Sequence, residues 1–121
     1  MPAPSSCHRV LITGGAGFVS SHLAERLLAE GNRVVVIDDL STGRRENIAH
    51  LLSNPDFTFV VGSILDETLM APLVNECDMI YHLAAAVGVF LVVHSPVRTI
   101  ETTAGGTNTV LKLAWLAGRK V

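Results

Sequence analysis

The chain has 121 residues, a length that predicts a single domain. Apolar residues make up 49% of it and charged residues 17%, a composition that excludes an intrinsically disordered chain. Nine basic residues against eleven acidic ones give a net charge of −2, so the chain lacks the basic field that binds nucleic acid. The longest apolar run, residues 83–93, is shorter than the roughly 18 residues that a membrane-spanning helix needs.

The amino-terminal stretch MPAPSSCHR contains no apolar segment of the kind found in secretory signals. Two cysteines, Cys7 and Cys77, are too few for a disulfide framework, and no Cys/His cluster indicates a metal site. We therefore expect reduced thiols and a cytoplasmic protein without a bound metal.

Strand-like and helix-like segments alternate along the chain. Short runs rich in apolar and β-branched residues predict strands at residues 9–13, 33–37, 57–61 and 79–83. Helical patterns follow the first, third and fourth strands, and residues 45–52 predict a short helix after the second. This order implies a parallel sheet with right-handed crossovers. The predicted fold class is α/β, a Rossmann-type doubly wound parallel sheet whose first four β-α units have the strand order 3-2-1-4.

Signals at the ends of the second long helix set its predicted limits. Asp66 suits the N-cap of a helix that runs through Val74. Pro72 lies inside this segment and should shorten or kink the helix.

The last helix is predicted to begin at Pro96, capped by Ser95, and to stop at Gly118. Two adjacent glycines in its middle, Gly105 and Gly106, indicate a close approach to a strand or a ligand. An apolar stripe with helical spacing predicts its buried face, which comprises Val97, Ile100, Ala104, Thr107, Leu111 and Ala114.

The glycine-rich segment TGGAGFVSSHL, residues 13–23, lies between the first predicted strand and the first helix. That context distinguishes a dinucleotide-binding fingerprint from a chance cluster of glycines. Glycine lets a pyrophosphate approach the main chain, and the helix N-terminus directs unpaired N–H groups at the anion. The glycine pattern begins at Gly14 or Gly15, continues at Gly17, and has Ser20 in its third position. Because glycine there allows close helix–strand packing, we expect a slightly displaced helix.

An acidic residue, Asp38, ends the second predicted strand, 21 residues after Gly17. An acid at this place accepts hydrogen bonds from the adenosine ribose and repels the 2′-phosphate of NADP, which favours NAD. NADP stays an alternative because a basic residue after the strand can hold that phosphate, and Arg44 and Arg45 follow. A solvated turn is the other interpretation of Asp38 and Asp39.

Four motifs in order, TGGAGFVSSHL, DDLSTGR, YHLAAA and SPVRTIETTAGGTNTVL, together resemble the extended short-chain dehydrogenase/reductases. Within them the chain is similar to the NAD-dependent nucleotide-sugar epimerases, dehydratases and UDP-glucuronate decarboxylases. The resemblance runs from Arg9 to Val121. It implies that residues 1–121 are the amino-terminal portion of an NAD-binding Rossmann domain and that the chain stops before a fifth strand. It also implies that the substrate-binding domain is absent.

The resemblance also implies which residues contact the cofactor. The pyrophosphate would be lined by Gly14, Gly17, Phe18 and Val19, and the adenosine ribose and its phosphate would be held by Asp38, Asp39, Ser41, Thr42 and Gly43. The adenine would be flanked by Ser63 and Ile64. The segment passing under the cofactor would comprise Leu83, Ala84 and Ala85, and Thr102 would lie near the cofactor. The chain departs from the family's pattern at Ser20, Ser63 and Thr103, where the usual residues are glycine, an acid and asparagine.

The catalytic Y-x-x-x-K motif of these enzymes does not occur in the chain. The single tyrosine, Tyr81, is followed four residues later by Ala85 and lies in an apolar strand, which is typical of a core residue. His82 on the same strand is interpreted as a hydrogen-bonded core histidine rather than a functional one. No residue of this chain is therefore assigned a catalytic role.

Four hypotheses for the function remain open. The leading hypothesis is the NAD(H)-binding portion of a nucleotide-sugar epimerase, dehydratase or decarboxylase that acts on a UDP- or dTDP-linked sugar through a transient 4-keto sugar. The alternatives are a non-catalytic dinucleotide-binding or interaction domain, an inactive fragment, and a methyltransferase with a similar first loop. The absence of G-x-x-x-x-G-K-[ST] excludes a P-loop nucleotidase.

The expected partners follow from the predicted sheet edge. A fourth strand at the edge, followed by an apolar segment, favours pairing with another chain, so we predict a homodimer or self-association. Nucleic acid and membrane are not expected partners.

Overall fold

The computed structural model describes residues 8–41, 43–84 and 96–121. It contains a four-stranded sheet of β1 (Arg9–Thr13), β2 (Arg33–Asp38), β3 (Phe57–Val61) and β4 (Met79–His82). All neighbouring strands run parallel, in the order β3-β2-β1-β4. The predicted fold class and strand order are thus confirmed.

Helices follow each strand. They are α1 (Phe18–Ala29), α2 (Glu67–Glu76), α3 (Pro96–Ile100) and α4 (Gly106–Ala117), with a π-helical turn (Glu101–Gly105) that joins α3 to α4 and two 3-10 turns (Arg45–Asn47 and Ala49–Leu51) after β2. Gly31, just past α1, has φ +90°, the left-handed conformation that ends a helix most easily at glycine.

The sheet is covered on both faces, which explains why its central strands are apolar at nearly every position. On the face covered by α1 and the 3-10 turns, the buried core comprises Val10, Ile12, Ala16, Ala24, Leu27, Val34, Val36, Ile48, Leu51 and Phe57. On the face covered by α2 and α4, it comprises Leu11, Ile37, Ile64, Met70, Val74, Cys77, Ile80, Val110 and Ala114. Tyr81 packs against the first cluster as predicted.

Helix α2 shows the predicted cap but not the predicted shortening. Asp66 Oδ1 accepts hydrogen bonds from the backbone N–H groups of Thr68 and Leu69 at 3.1 and 3.2 Å. Hydrogen bonds from the Thr68 hydroxyl and from the backbone lower the pKa of Asp66. The helix continues past Pro72 to Glu76, two residues beyond the predicted end. The N-terminal cap and the burial of apolar side chains on both sides of the proline offset its missing hydrogen bond.

The predicted helix over residues 45–52 is wrong. Two short 3-10 turns occupy the segment, separated by Ile48, whose φ of −119° and ψ of 1° are not helical. The Ile48 side chain is completely buried in the core. A continuous helix would not bring it there, so burial of Ile48 outweighs the local helical preference.

The predicted buried stripe of the last helix is also wrong, except at Ala114. Val97, Ile100, Ala104 and Leu111 are exposed and Thr107 is half-buried, whereas the residues that face the core are Gly106, Thr109, Val110 and Ala114. The π-helical turn adds one residue to a helical turn and rotates α3 relative to α4, so one helical period does not describe both segments.

A close approach is found at Gly106, but its neighbour is a side chain in the segment after β3 rather than the predicted strand or ligand. A Cβ added at Gly106 would lie 2.1 Å from Ile64 Cδ1 and 2.7 Å from Ile64 Cγ1. A Cβ at Gly105 would meet only Leu65 Cδ2, at 3.1 Å. Gly106 therefore lets α4 lie directly on the Ile64 side chain in the segment after β3.

The free edge of β4 is partly covered. Lys120 forms an isolated parallel bridge with Met79, and its carbonyl accepts a hydrogen bond from Ile80 N at 2.8 Å. This pairing begins where the sequence predicted a fifth strand. Strand β4 itself ends at His82, one residue earlier than predicted.

Two further properties concern the described part of the chain. None of its helices is long and apolar enough to cross a membrane. Cys77 is buried with a free thiol that donates to the Val74 carbonyl at 3.2 Å, and burial raises the pKa of this thiol to about 11. Cys7 lies outside the described residues.

The two adjacent glycines provide a matched test of this packing. Gly106→Ala should lower the free energy of unfolding by about 1–3 kcal/mol, because the added methyl group overlaps Ile64. Gly105→Ala should leave it unchanged or raise it by up to about 1 kcal/mol, because alanine favours helix and meets only the end of a leucine. Urea unfolding monitored by circular dichroism measures both, and equal effects of the two substitutions would contradict the packing described here.

Candidate cofactor-binding site

The turn after β1 requires glycine at its first position. Gly14 has φ +71°, and its N–H donates to the Ile37 carbonyl of the neighbouring strand at 2.8 Å. A Cβ on Gly14 would lie 2.8 Å from Ala84 Cα and 2.9 Å from Ala84 N. Both backbone conformation and space therefore exclude a side chain, and the turn packs directly against the chain that leaves β4.

Helix α1 begins at this turn without a side-chain cap. Gly17 is its N-cap, with extended backbone angles of φ −74° and ψ 168°, and provides no side chain to accept from the first turn. The first helical hydrogen bond runs from Ser21 N to the Gly17 carbonyl at 3.0 Å. The N–H groups of Phe18 and Val19 precede it and have no acceptor within the helix. Their side chains are 73% and 70% exposed, so this end of α1 is open.

A buried carboxylate ties the loop to the end of β2. Asp38 is only 8% exposed. Its Oδ2 accepts from Ala16 N at 2.9 Å, and its Oδ1 accepts from Leu40 N at 2.7 Å. Leu40 adopts a left-handed φ of +63° to make this bond. A Cβ on Gly43 would lie 2.7 Å from Asp38 Oδ2, so Gly43 leaves room for the carboxylate.

The carbonyl of Ala16 is fixed by hydrogen bonds from the segment that follows the loop after β2. It accepts from Arg44 N at 3.0 Å and from Asn47 Nδ2 at 2.8 Å. Sequence reasoning missed the roles of Ala16 and Asn47 because their bonds join segments that are far apart in the chain. It also missed Leu40, although Leu40 lies only two residues from Asp38. A positive φ at Leu40 has no signal in the sequence.

The remaining predicted ribose contacts lie on the exposed side of the same loop. Asp39 and Ser41 are exposed, and Asp39 Oδ1 accepts from Ser41 N at 2.9 Å. Arg45, one of the two basic residues that suggested NADP, places its guanidinium over the Phe59 ring, 5.3 Å from the ring centroid. Arg44 is exposed.

After β3, the predicted adenine contacts differ in accessibility. Ser63 is half-buried, and its Oγ accepts from Leu65 N at 3.1 Å in a local turn. The Ile64 side chain is 6% exposed and packs against Gly106. A ligand at this place would therefore meet the backbone of Ile64 rather than its side chain.

A chain of hydrogen bonds joins β1, β4 and α4 beneath the loop. Thr13 Oγ1 lies 2.7 Å from His82 Nδ1, and His82 Nε2 lies 2.9 Å from Thr107 Oγ1. Thr13 Oγ1 also accepts from Leu83 N at 3.1 Å and from Ala84 N at 3.2 Å. Burial lowers the pKa of His82. The prediction of a hydrogen-bonded histidine inside the fold is confirmed.

Several predicted contacts cannot be placed. Thr42 and Ala85 lie outside the described residues, and the structure describes only the backbone of Thr102, in the π-helical turn. Of the residues where the sequence departs from the family's pattern, Ser20 is buried in α1 and Thr103 is exposed.

The described candidates converge on one edge of the sheet. Gly14 follows β1, Asp38 ends β2, Ser63 follows β3 and Leu83 follows β4, and carboxyl ends of parallel strands share an edge. Ligands of open α/β sheets bind outside this edge. The unpaired N–H groups of α1, the lack of a side chain at Gly17 and a buried acid fit the pyrophosphate and ribose of a dinucleotide.

Two other features do not suggest a second site. A cavity of about 490 Å³ lies at the opposite edge, lined by Arg9, Arg33, Asp56, Glu76 and Cys77 among others, and its charges are of both signs. Within the residues that the structure describes, no group of three His, Cys, Asp or Glu side chains is arranged to hold a metal ion.

Comparison with known proteins identifies the family. Residues 11–120 match the family described as GDP-mannose 4,6 dehydratase. The chain belongs to this family. It is 42% identical over 112 residues to UDP-glucuronic acid decarboxylase 1 of Arabidopsis thaliana, a match that covers 93% of this chain and 25% of that protein. The resemblance seen in the sequence motifs is thus confirmed.

Solved structures agree with this assignment. The fold matches dTDP-glucose 4,6-dehydratase from Streptomyces venezuelae, solved with NAD bound, with a TM-score of 0.85 and 37% identity over 92% of this chain and 37% of that one. It matches UDP-glucose 4-epimerase from Thermotoga maritima with a TM-score of 0.81 and 34% identity over 92% of this chain and 35% of that one. The chain therefore spans about a quarter to a third of the length of these relatives.

The Asp38 clamp predicts a large difference between two neighbouring acids. Asp38→Asn should lower the free energy of unfolding by about 1.5–3 kcal/mol, because its amide oxygen replaces only one of the two acceptor oxygens and its NH₂ group faces the other N–H donor. Asp39→Asn should change it by less than about 0.5 kcal/mol, because Asp39 is exposed. Chemical unfolding at neutral pH without cofactor measures both. Similar stability of the two variants would show that Asp38 does not hold the loop.

Proposed function

We propose that this chain binds NAD at the carboxyl edge of its sheet and is the cofactor-binding portion of a nucleotide-sugar-modifying enzyme. The observation that carries the proposal is the uncapped N-terminus of α1 beside the buried carboxylate of Asp38. An anion at that N-terminus receives the unpaired N–H groups and the positive end of the helix dipole. The neighbours solved with NAD support the same cofactor.

The pyrophosphate would rest on Gly14 and Gly17 and on the N–H groups of Phe18 and Val19. At these positions the main chain is accessible because Gly17 has no side chain and the two apolar side chains point outward into solvent. The adenosine ribose would approach Asp38. Each carboxylate oxygen accepts one backbone N–H, and a carboxylate has about four lone-pair sites in total, so capacity remains for ribose hydroxyls.

NAD is favoured over NADP by charge. A 2′-phosphate would be brought next to the Asp38 carboxylate, which repels it. Of the two arginines able to compensate, Arg45 already lies over the Phe59 ring. Arg44 is the remaining candidate for a phosphate contact.

The complete reaction would need more protein than this chain provides. When bound, NAD would supply the hydride acceptor for oxidation of the sugar to a transient 4-keto sugar and, as NADH, the hydride donor for a later reduction. The residues of this chain would bind and orient the cofactor. UDP- or dTDP-linked sugars are the proposed substrates, in line with the names of the relatives. A Y-x-x-x-K sequence encoded soon after Val121 would supply the proton transfer. The cytoplasmic location stays a prediction.

NAD binding is tested by two substitutions at opposite ends of α1. Gly17→Ala should preserve the fold, because the added Cβ meets only Gly14 O at 3.3 Å and Ser20 Oγ at 4.0 Å. It should weaken NAD binding by about tenfold or more, because the methyl group stands between the pyrophosphate and the main chain. Isothermal titration with NAD measures the affinity.

Gly31→Ala is the matched control. It strains the left-handed turn after α1 and should lower stability by about 1–2 kcal/mol without changing the affinity for NAD. Absence of NAD binding by the unmodified chain at millimolar cofactor would contradict the proposed function. Equal affinity of Gly17→Ala and the unmodified chain would contradict the proposed position of the pyrophosphate.

We also infer self-association through the exposed side of α4. Leu111 and Trp115, one helical turn apart, are 50% and 81% exposed, and exposed apolar surface of this kind favours association. Replacing both by lysine should shift the chain to monomer in sedimentation velocity. Leu52→Lys, at another exposed leucine, should not. A monomeric unmodified chain at high concentration would contradict this inference.

A further inference from the structure

The neighbours of His82 favour one direction for its hydrogen bonds. Thr107 Oγ1 donates its proton to the Thr103 carbonyl at 2.8 Å, so it accepts from His82 Nε2. Thr13 Oγ1 accepts two backbone N–H groups, from Leu83 and Ala84, which occupy both of its lone pairs. Its own proton is therefore donated to His82 Nδ1. The ring is neutral, with its proton on Nε2.

A second proton on His82 would break this arrangement. Protonated Nδ1 is a donor, and it would face the Thr13 hydroxyl, which would then meet three N–H donors with two lone pairs. The hydroxyl must then give up one of the two bonds that it accepts from Leu83 N and Ala84 N, and the Thr13 proton loses its acceptor. Leu83 N keeps its second bond, to the Thr13 carbonyl at 3.2 Å, so protonation loosens the chain leaving β4 without releasing it.

That part of the chain is also the support of the glycine turn. Ala84 N and Cα lie so near Gly14 that a Cβ there would overlap them at 2.9 and 2.8 Å. A shift of Leu83 and Ala84 therefore changes the surface on which Gly14 rests. Gly14 is the first residue of the loop that precedes the N-terminus of α1.

Among the described residues, no charged group contributes to the pKa shift of His82. Burial alone shifts the pKa of His82. The charged or titratable residues on the elements packed against it are Arg9 on β1, Tyr81 on β4, Glu101 on the π-helical turn and Lys112 on α4. Arg9 lies at the opposite end of β1, Lys112 pairs with Glu67 at 3.1 Å, and none of the four contributes to the shift.

We propose that His82 is a positioning residue for the cofactor: in its neutral form it fixes Leu83 and Ala84 through the Thr13 hydroxyl, and its protonation loosens the glycine turn and weakens NAD binding. This inference rests on the proposed function. His82 itself does not contact the cofactor or the substrate.

The same linkage predicts how stability depends on pH. The pKa of folded His82 is lowered from its ordinary value of 6.5, so the unfolded chain binds this proton first as the pH falls. Stability contributed by neutral His82 is fully present above pH 6.5. It decreases as the pH falls from there to the lowered pKa, below which no further loss occurs. Urea unfolding across this pH range should show the decrease in the unmodified chain and a smaller one in His82→Gln.

The affinity for NAD provides the direct test. In the unmodified chain, the dissociation constant should rise as the pH falls from about 8, by about twofold at the pH where half of the His82 rings are protonated without cofactor. Gln can accept and donate like the neutral ring but does not titrate, so His82→Gln should lose most of this dependence. His50→Gln, at an exposed histidine paired with Glu25, should retain it. An affinity that does not depend on pH, or an equal dependence in His82→Gln, would overturn the proposal.

A second measurement separates this proposal from NAD binding and needs no variant. In NMR spectra without cofactor, the amide signals of Gly14, Leu83 and Ala84 should titrate with the same apparent pKa as the His82 ring. Independent titration of these amides would overturn the proposed coupling. If NAD bound at no pH while the signals titrated together, the proposed function would be wrong and the coupling of His82 to the glycine turn would stand.

Discussion

The buried carboxylate of Asp38 is the constraint on which the rest of the site depends. It lies at the end of β2 and accepts N–H groups from Ala16 in the loop after β1 and from Leu40 in the loop after β2. Each such bond to a charged acceptor contributes about 1.5–3 kcal/mol. Through them the carboxylate fixes where the glycine loop passes above the sheet, and hence where α1 begins. Asp38, which the sequence predicts to contact the ribose, therefore also stabilises the loop.

The glycine loop is held on its other flank by the Thr13 hydroxyl. Asp38 acts from β2 and Thr13 acts from β1 through the end of β4. Held on both flanks, the loop presents its amides in a defined arrangement before any ligand arrives. Preorganisation of this kind reduces the entropy lost on binding. It also explains why we expect changes in the hydrogen bonds beneath the loop to alter the affinity for an anion, although the groups involved do not contact the ligand.

The sequence predicted the parts of this structure that are encoded locally. The strands, the α1 and α2 signals and the glycine loop each follow from a short run of residues, and all were found within one or two residues of the predicted positions. Where prediction was wrong, tertiary packing decided: Ile48 is drawn into the core and breaks a short helix, and Gly106 lies on Ile64 and turns the apolar stripe of the last helix outward. The role of Asn47 could not be predicted because it bonds Ala16 through loops that meet only in the folded chain. The role of Leu40 could not be predicted because nothing in the sequence signals its positive φ.

The π-helical turn between α3 and α4 has a consequence for the length of this segment. Such a turn contains one residue more than an α-helical turn, so a single deletion within residues 101–104 can be absorbed by conversion to regular α-helix. Helix α4 would keep its packing against the sheet. Helix α3 would rotate by about 100° around the helix axis, carrying Val97 and Ile100 to a new side. A change of length within the π-helical turn would thus reorient α3 while the sheet and the glycine loop stay unchanged.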